Sequence, residues 1–156
     1  MTEQQQDQAV GSVTLRAVFD DLIRFETDLW AGIDARLRHD HDVALGIFDT
    51  LQVIHRTDGC RVLDIARALS ITVGGASQAV DRLVASGRCE RTAHPDDRRS
   101  VLIALTTAGR ELLESAWPTF DDELARRLGG PLGAAGAQAF AAQLTLLRSA
   151  QRQLAD

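Results

Sequence analysis

Asp97, Arg98 and Arg99 lead into five consecutive apolar residues, Val101 to Leu105, and their chemistry is that of anion recognition. A guanidinium presents its donors in a planar fork that matches phosphate oxygens and base edges. At a hairpin tip an arginine suits a narrow DNA minor groove, where negative potential is concentrated. Asp97, two residues before Arg99, can hold that guanidinium in one rotamer and lower the cost of ordering it. An ordinary charged turn over 96–99 is the plainer alternative. A second polar set lies upstream in Gly74, Gly75, Ser77, Gln78, Asp81 and Arg82. Glutamine can pair bidentately with adenine, and a serine hydroxyl can bond to several bases. Glycines at a helix start permit close backbone approach, and the free amides there can hold a phosphate. Arg82 is open to three roles: reading a base, contacting phosphate, or pairing with an acid of the same domain. For Ser77 and Gln78 the alternative is simple solvated surface.

The flanking pattern says which elements would carry these residues. Thr72 is the expected N-cap of a helix whose apolar row is Ala76, Ala79, Val80, Leu83 and Val84, closed by Gly87. Arg88 to Ala93 and Ser100 to Leu105 read as two strands joined by the charged turn at 94–99. Thr106-Thr107 then signals another helix start. Helix, strand, charged turn, strand, helix is the order of a winged helix.

Upstream, apolar residues at 15, 18, 22, 25, 29, 33 and 37 mark a long amphipathic helix, ending near the cluster Arg38-His39-Asp40-His41-Asp42. A second helix shows Ala44, Ile47, Phe48, Leu51 and Ile54 on one face. A turn follows at Thr57-Asp58-Gly59, and Cys60 to Val62 is short enough to be a minimal strand. Val62, Ile65, Ala66 and Leu69 make a short third helix. Downstream, Leu113, Ala116, Phe120, Leu124 and Leu128 align on a fifth helix that Pro118 should kink and Gly129-Gly130-Pro131 should stop. The last helix carries Phe140, Leu144, Leu147 and Leu154, with a glycine-rich and frayed start. The expected fold is mainly α: about six helices with a two- or three-stranded β-wing. The terminal helices carry more apolar stripe than one small lobe can cover, which implies a dimer. The expected division is a disordered tail at 1–10, dimerisation helices at 11–57 and 110–156, and a winged-helix DNA-binding lobe at 58–109.

Composition narrows the function classes. The chain has 156 residues, 45% of them hydrophobic but only 4% aromatic, so aliphatic packing must fill its core. Its net charge of −5 is unevenly spread: residues 61–110 carry +3, and the remainder −8. A locally basic segment on an acidic body suits a DNA binder, since only the docking face must be positive. No apolar run approaches a membrane span and the start of the chain is polar, so a cytoplasmic protein is expected. Cys60 and Cys89 lack metal-ligand spacing; a redox pair is conceivable, and small apolar filler is the stronger account. His39, Asp40, His41 and Asp42 read as a solvated helix junction in preference to a zinc site. The sequence has no phosphate loop, nucleophile elbow or second ligand set, so neither an enzyme nor a cofactor is expected.

From Arg61 to Gly109 the chain resembles MarR-type transcriptional regulators. The resemblance is carried by LDIARAL (63–69), VDRLVASG (80–87) and DRRSVLIALTTAG (97–109), and the flanking long helices fit as well. It implies a homodimer that binds a pseudo-palindromic double-stranded operator, acts as a repressor in most cases, and is released by a small molecule or oxidant. Carried over by position, Thr72 to Ser86 is the recognition helix. Arg99 is the wing arginine entering the minor groove, braced by Asp97, with Arg98 near phosphates. Gly74-Gly75 departs from the family, where polar side chains are more usual, and shifts the expected readout to Ser77, Gln78 and Arg82. The resemblance also implies an effector pocket between the dimerisation helices and the DNA-binding lobe. Trp30, His41, Phe48 and His55 are candidates for its wall, each with plain packing as the alternative. Two competing readings are a winged helix used only for protein contacts and a metal- or redox-sensing regulator.

Overall fold

The structure, a computed structural model, describes residues 14–93 and 100–154. Its elements are α1 (Leu15–His41), α2 (Leu45–Arg56), α3 (Val62–Leu69), α4 (Val73–Ala85), β1 (Cys89–Ala93), β2 (Val101–Leu105), α5 (Thr107–Leu124) and α6 (Gly130–Leu154). This is the mainly helical winged-helix order that the sequence announces. The expected 1–10 tail lies outside the described residues.

Local chemistry sets the helix boundaries. The Thr14 hydroxyl accepts the Ala17 amide at 3.2 Å and starts α1. Helix α2 begins at Ala44, which has no side chain able to cap; the Asp34 carboxylate of α1 instead accepts the Leu45 amide at 2.8 Å. One acid thus fixes where α2 leaves α1. Between α3 and α4 the chain turns at Ser70, in the left-handed region, while the Ile71 amide bonds back to the Ala66 carbonyl at 3.0 Å.

The core gathers one face of every element from α1 to α5. Leu37, Phe48, Leu51, Ile65, Val80, Leu83 and Leu113 are wholly enclosed. Phe48 and Phe120 meet with ring centroids 5.0 Å apart, joining α2 to α5. The Trp117 indole donates to the Gln52 amide oxygen at 3.3 Å and meets His55 edge-on at 5.2 Å.

Strands β1 and β2 pair antiparallel, with Cys89 opposite Leu105 and Ala93 opposite Val101. The Ile103 amide points away from β1 and donates to the Cys60 carbonyl at 2.8 Å. The minimal strand expected at Cys60 is therefore reduced to one ladder bond, and the described sheet has two strands. Cys60 and Cys89 lie on opposite sides of β2. Both thiols are free and buried, and burial pushes each up to about 11, so they are protonated and unreactive at neutral pH.

The glycine-proline run does not stop the fifth helix as expected. The chain coils on from Leu124 through a π-turn at Ala125–Gly129, where the Gly130 amide reaches back to the Ala125 carbonyl. Widening the turn upstream of Pro131 accommodates a residue that lacks an amide and crowds the preceding turn. The real break falls at Gly133, with φ at 63°. Glu123, buried on α5, binds Arg126 and Arg127 at 2.7 Å each and clamps this turn. The Arg127 guanidinium crosses α1 at Gly32, where any Cβ would collide with it.

Candidate nucleic-acid interface

Helix α4 presents the polar row that the sequence singles out. Thr72 caps it, its hydroxyl accepting the Gly75 amide at 3.0 Å. Ala76, Val80 and Leu83 face the core, which turns Gly74, Gln78, Asp81 and Arg82 to solvent and leaves Ser77 half-buried. At the far end Gly87, with φ at 69°, closes the helix while the Arg88 amide bonds to the Leu83 carbonyl at 2.9 Å.

The two glycines at its start have different reasons. A Cβ at Gly75 would press on the Thr72 hydroxyl at 3.2 Å, so this glycine keeps the cap tight. A Cβ at Gly74 would meet nothing within 4 Å. Gly74 therefore leaves a flat, open patch of backbone on the solvent face, a cost to helix stability that packing within the chain does not offset.

The hairpin leaves the same side of the lobe. Arg91 on β1 reaches α4 and binds the Asp81 carboxylate at 2.6 Å. Its root is fastened by Thr106, which accepts the Gly109 amide at 3.1 Å, and whose hydroxyl donates to the Gly87 carbonyl at 2.7 Å. Gly109 packs so closely under the Arg88 carbonyl that any Cβ would collide with it. The T-T-A-G stretch thus locks the end of α4, the start of β1 and the start of α5 together. The tip residues Asp97, Arg98 and Arg99 lie outside the described residues.

The four residues considered for a pocket wall fall in different places. Trp30 borders a cavity of about 330 Å3 between α1, α2, the end of α3 and α4. Phe48 is enclosed in the core, His55 stands against Trp117, and the His41 Nε2 bonds to the Thr119 hydroxyl at 2.8 Å. The cavity wall also includes Asp49, Ile71 and Arg82, which sequence reasoning did not place there. Asp49 lacked a signal: one acid in an amphipathic helix reads as solvated until the helix crossing it is known. In the 38–42 cluster, Asp40 pairs with Arg36 at 2.7 Å and hydrogen-bonds the His39 ring at 2.6 Å, a surface polar arrangement. Among the described residues no three histidine, cysteine or acidic side chains gather in a way that could hold a metal ion.

Comparison with known proteins places this arrangement. Residues 45–101 match the model of the MarR family. The chain is 30% identical over 87 residues to the multiple antibiotic resistance protein MarR of Escherichia coli, 56% of this chain and 60% of that protein. It is 29% identical over 80 residues to the HTH-type transcriptional regulator BilQ of Clostridium symbiosum. These alignments span 60% and 56% of the two relatives' lengths. Among solved structures, it superposes with a TM-score of 0.80 on Sco3205, a MarR family transcriptional regulator of Streptomyces coelicolor in complex with DNA. That superposition covers 86% of each chain at 22% identity. From α2 through β2 the chain has the winged-helix fold of that structure.

Proposed function

We infer that the chain is a MarR-type transcriptional regulator that binds a DNA operator as a homodimer and answers to a small molecule. One observation carries this reading. The solvent row of α4 and the base of the hairpin lie on one side of the lobe, joined by the Asp81–Arg91 pair. A helix offered in this way enters the major groove, its first turns nearest the base edges. Ser77, Gln78 and Arg82 then supply the side-chain readout, with Thr72, Gly74 and Gly75 bringing the backbone close. Asp97, Arg98 and Arg99, between the two strands in sequence, are assigned to the neighbouring minor groove and the phosphates.

The dimer is supported by what α1 and α6 leave uncovered. Leu15, Val18, Phe19, Leu22 and Ile23 are exposed along α1, and α6 has no buried residue along its described length. Such stripes need a partner, and a second copy supplies one. Residues 11–57 and 110–156 serve as dimerisation helices and 58–109 as the DNA-binding lobe. Two-fold symmetry sets the recognition helices about 34–36 Å apart on a pseudo-palindromic site. An effector works by favouring a different spacing. The cavity bordered by Trp30 is its candidate seat, since α1, α2 and α4 all contribute to the wall. Bordetella bronchiseptica BpsR, whose DNA binding is regulated by 6-hydroxynicotinic acid, shares the fold at a TM-score of 0.76 over 84% of this chain and 92% of its own, at 24% identity.

Footprinting on the DNA upstream of the chain's own gene, with and without aromatic effectors, tests the reading. Two protected half-sites one helical turn apart, lost on adding an effector, are expected. Absence of protection at any protein concentration contradicts it.

A further inference from the structure

The cavity beside α4 has a chemistry that narrows what it can hold. Its wall is largely apolar, with Ile47, Leu69 and Ile71 prominent. Thr50 is already committed, its hydroxyl donating to the Gly46 carbonyl at 2.7 Å. Trp30 lies over Gly46 with its ring half-exposed. Two charged residues remain, and they differ in environment. Arg82 is exposed on the outer side of α4, where water solvates it. Asp49 is half-buried, and the Gln52 amide at 3.1 Å is the one hydrogen-bond donor that its carboxylate has among the described residues. Burial raises its pKa against the weaker pull of Gln52 and Arg56.

We propose that this cavity binds a small aromatic cation, its positive group against the Asp49 carboxylate and its ring or charge against Trp30. A carboxylate removed from water with one neutral donor gains much from an arriving cation, because its desolvation has already been met by the fold. An anion set against Arg82 gains little, since that guanidinium keeps its water, and it would be repelled by Asp49. The indole face adds attraction for positive charge. The inference rests on reading the cavity as the effector seat.

The test is calorimetric titration of the intact chain with benzamidine, benzamide and benzoate, which share a ring and a planar substituent but differ in charge. Benzamidine should bind at least about tenfold more tightly than benzamide, with benzoate weakest. Asp49→Asn retains an acceptor for Gln52; it should bring benzamidine down to the level of benzamide and leave benzamide unchanged. Trp30→Ala, with the same thermal melt as the parent, should weaken benzamidine as well. Preference for benzoate, benzamidine binding indifferent to Asp49→Asn, or no binding by any of the three overturns the proposal. DNA binding is measured separately on the ligand-free chain. Its failure while benzamidine still binds through Asp49 would remove the regulator reading and leave the cation site standing.

Discussion

Asp81 on the fourth helix and Arg91 on the first strand meet at 2.6 Å, a side-chain ion pair that ties that helix to the hairpin. Both side chains are well exposed, so the pair itself contributes little to stability, roughly 0.2–1 kcal/mol. Its consequence is geometric: it holds the helix and the hairpin in register, and for the DNA docking proposed above that lowers the ordering cost. Asp81→Ala should leave the chemical denaturation midpoint almost unchanged and weaken operator binding several-fold. Reversing the pair, Asp81→Arg with Arg91→Asp, should recover part of the loss. Equal losses in both variants would assign these residues to DNA contacts of their own.

Gly109 is where the chain tolerates no side chain at all. Its Cα sits beneath the Arg88 carbonyl, at the junction of the recognition helix, hairpin and fifth helix. Gly109→Ala must push backbone against backbone, a fault that side-chain movement does not relieve. A destabilisation of about 1–3 kcal/mol or more is expected in urea unfolding. Gly74→Ala is the matched control: with open space around the added methyl, it should be stabilising or neutral.

Asp49 gives stability a pH dependence of defined sign. Burial raises its folded pKa above the ordinary carboxylate value, so the folded chain takes up a proton more readily than the unfolded one. Stability assigned to this group is then greatest in acid and falls as pH rises through the raised folded value. Asp49→Asn removes the penalty, and its thermal midpoint should exceed the parent's at neutral pH. The difference should shrink as pH falls toward the unfolded value of 3.8. A difference that grows on acidification would show a favourable partner for the carboxylate.

Phe19 stands on the first helix with 61% of its surface exposed, amid Leu15, Val18, Leu22 and Ile23. If a second copy covers this stripe, Phe19→Asp should turn a dimer into monomers in sedimentation velocity. Helical content of the winged-helix lobe should persist, because the core residues from Leu37 onward are untouched. A parent that sediments as a monomer at micromolar concentration contradicts the dimer.

Much of this was legible from spacing. The caps at Thr72 and Thr106, the turn at Gly87 and the apolar run that ends at Leu105 are local signals, and each element they mark is found where expected. What the sequence hid was set by distant partners. The helix that starts at Leu45 is capped by Asp34 from another helix, a residue that spacing alone reads as surface. The run Gly129-Gly130-Pro131 looks like a stop, yet Glu123 and its two arginines hold a π-turn through it and the break moves to Gly133. The cavity wall assembles Trp30, Asp49 and Arg82 from three helices, and no local pattern connects them.

In the proposed complex the α4 helices of two copies, with Arg98 and Arg99 of each, grip a duplex through its phosphates. Titrating the chain against its upstream DNA at several salt concentrations tests it most directly. Each phosphate neutralised contributes about −0.9 to the slope of log affinity against log salt. A steep slope is expected, together with a loss of about 1–3 kcal/mol of affinity in Arg99→Ala at fixed salt. A salt-independent affinity, identical for parent and Arg99→Ala, would contradict it and leave a winged helix that binds protein.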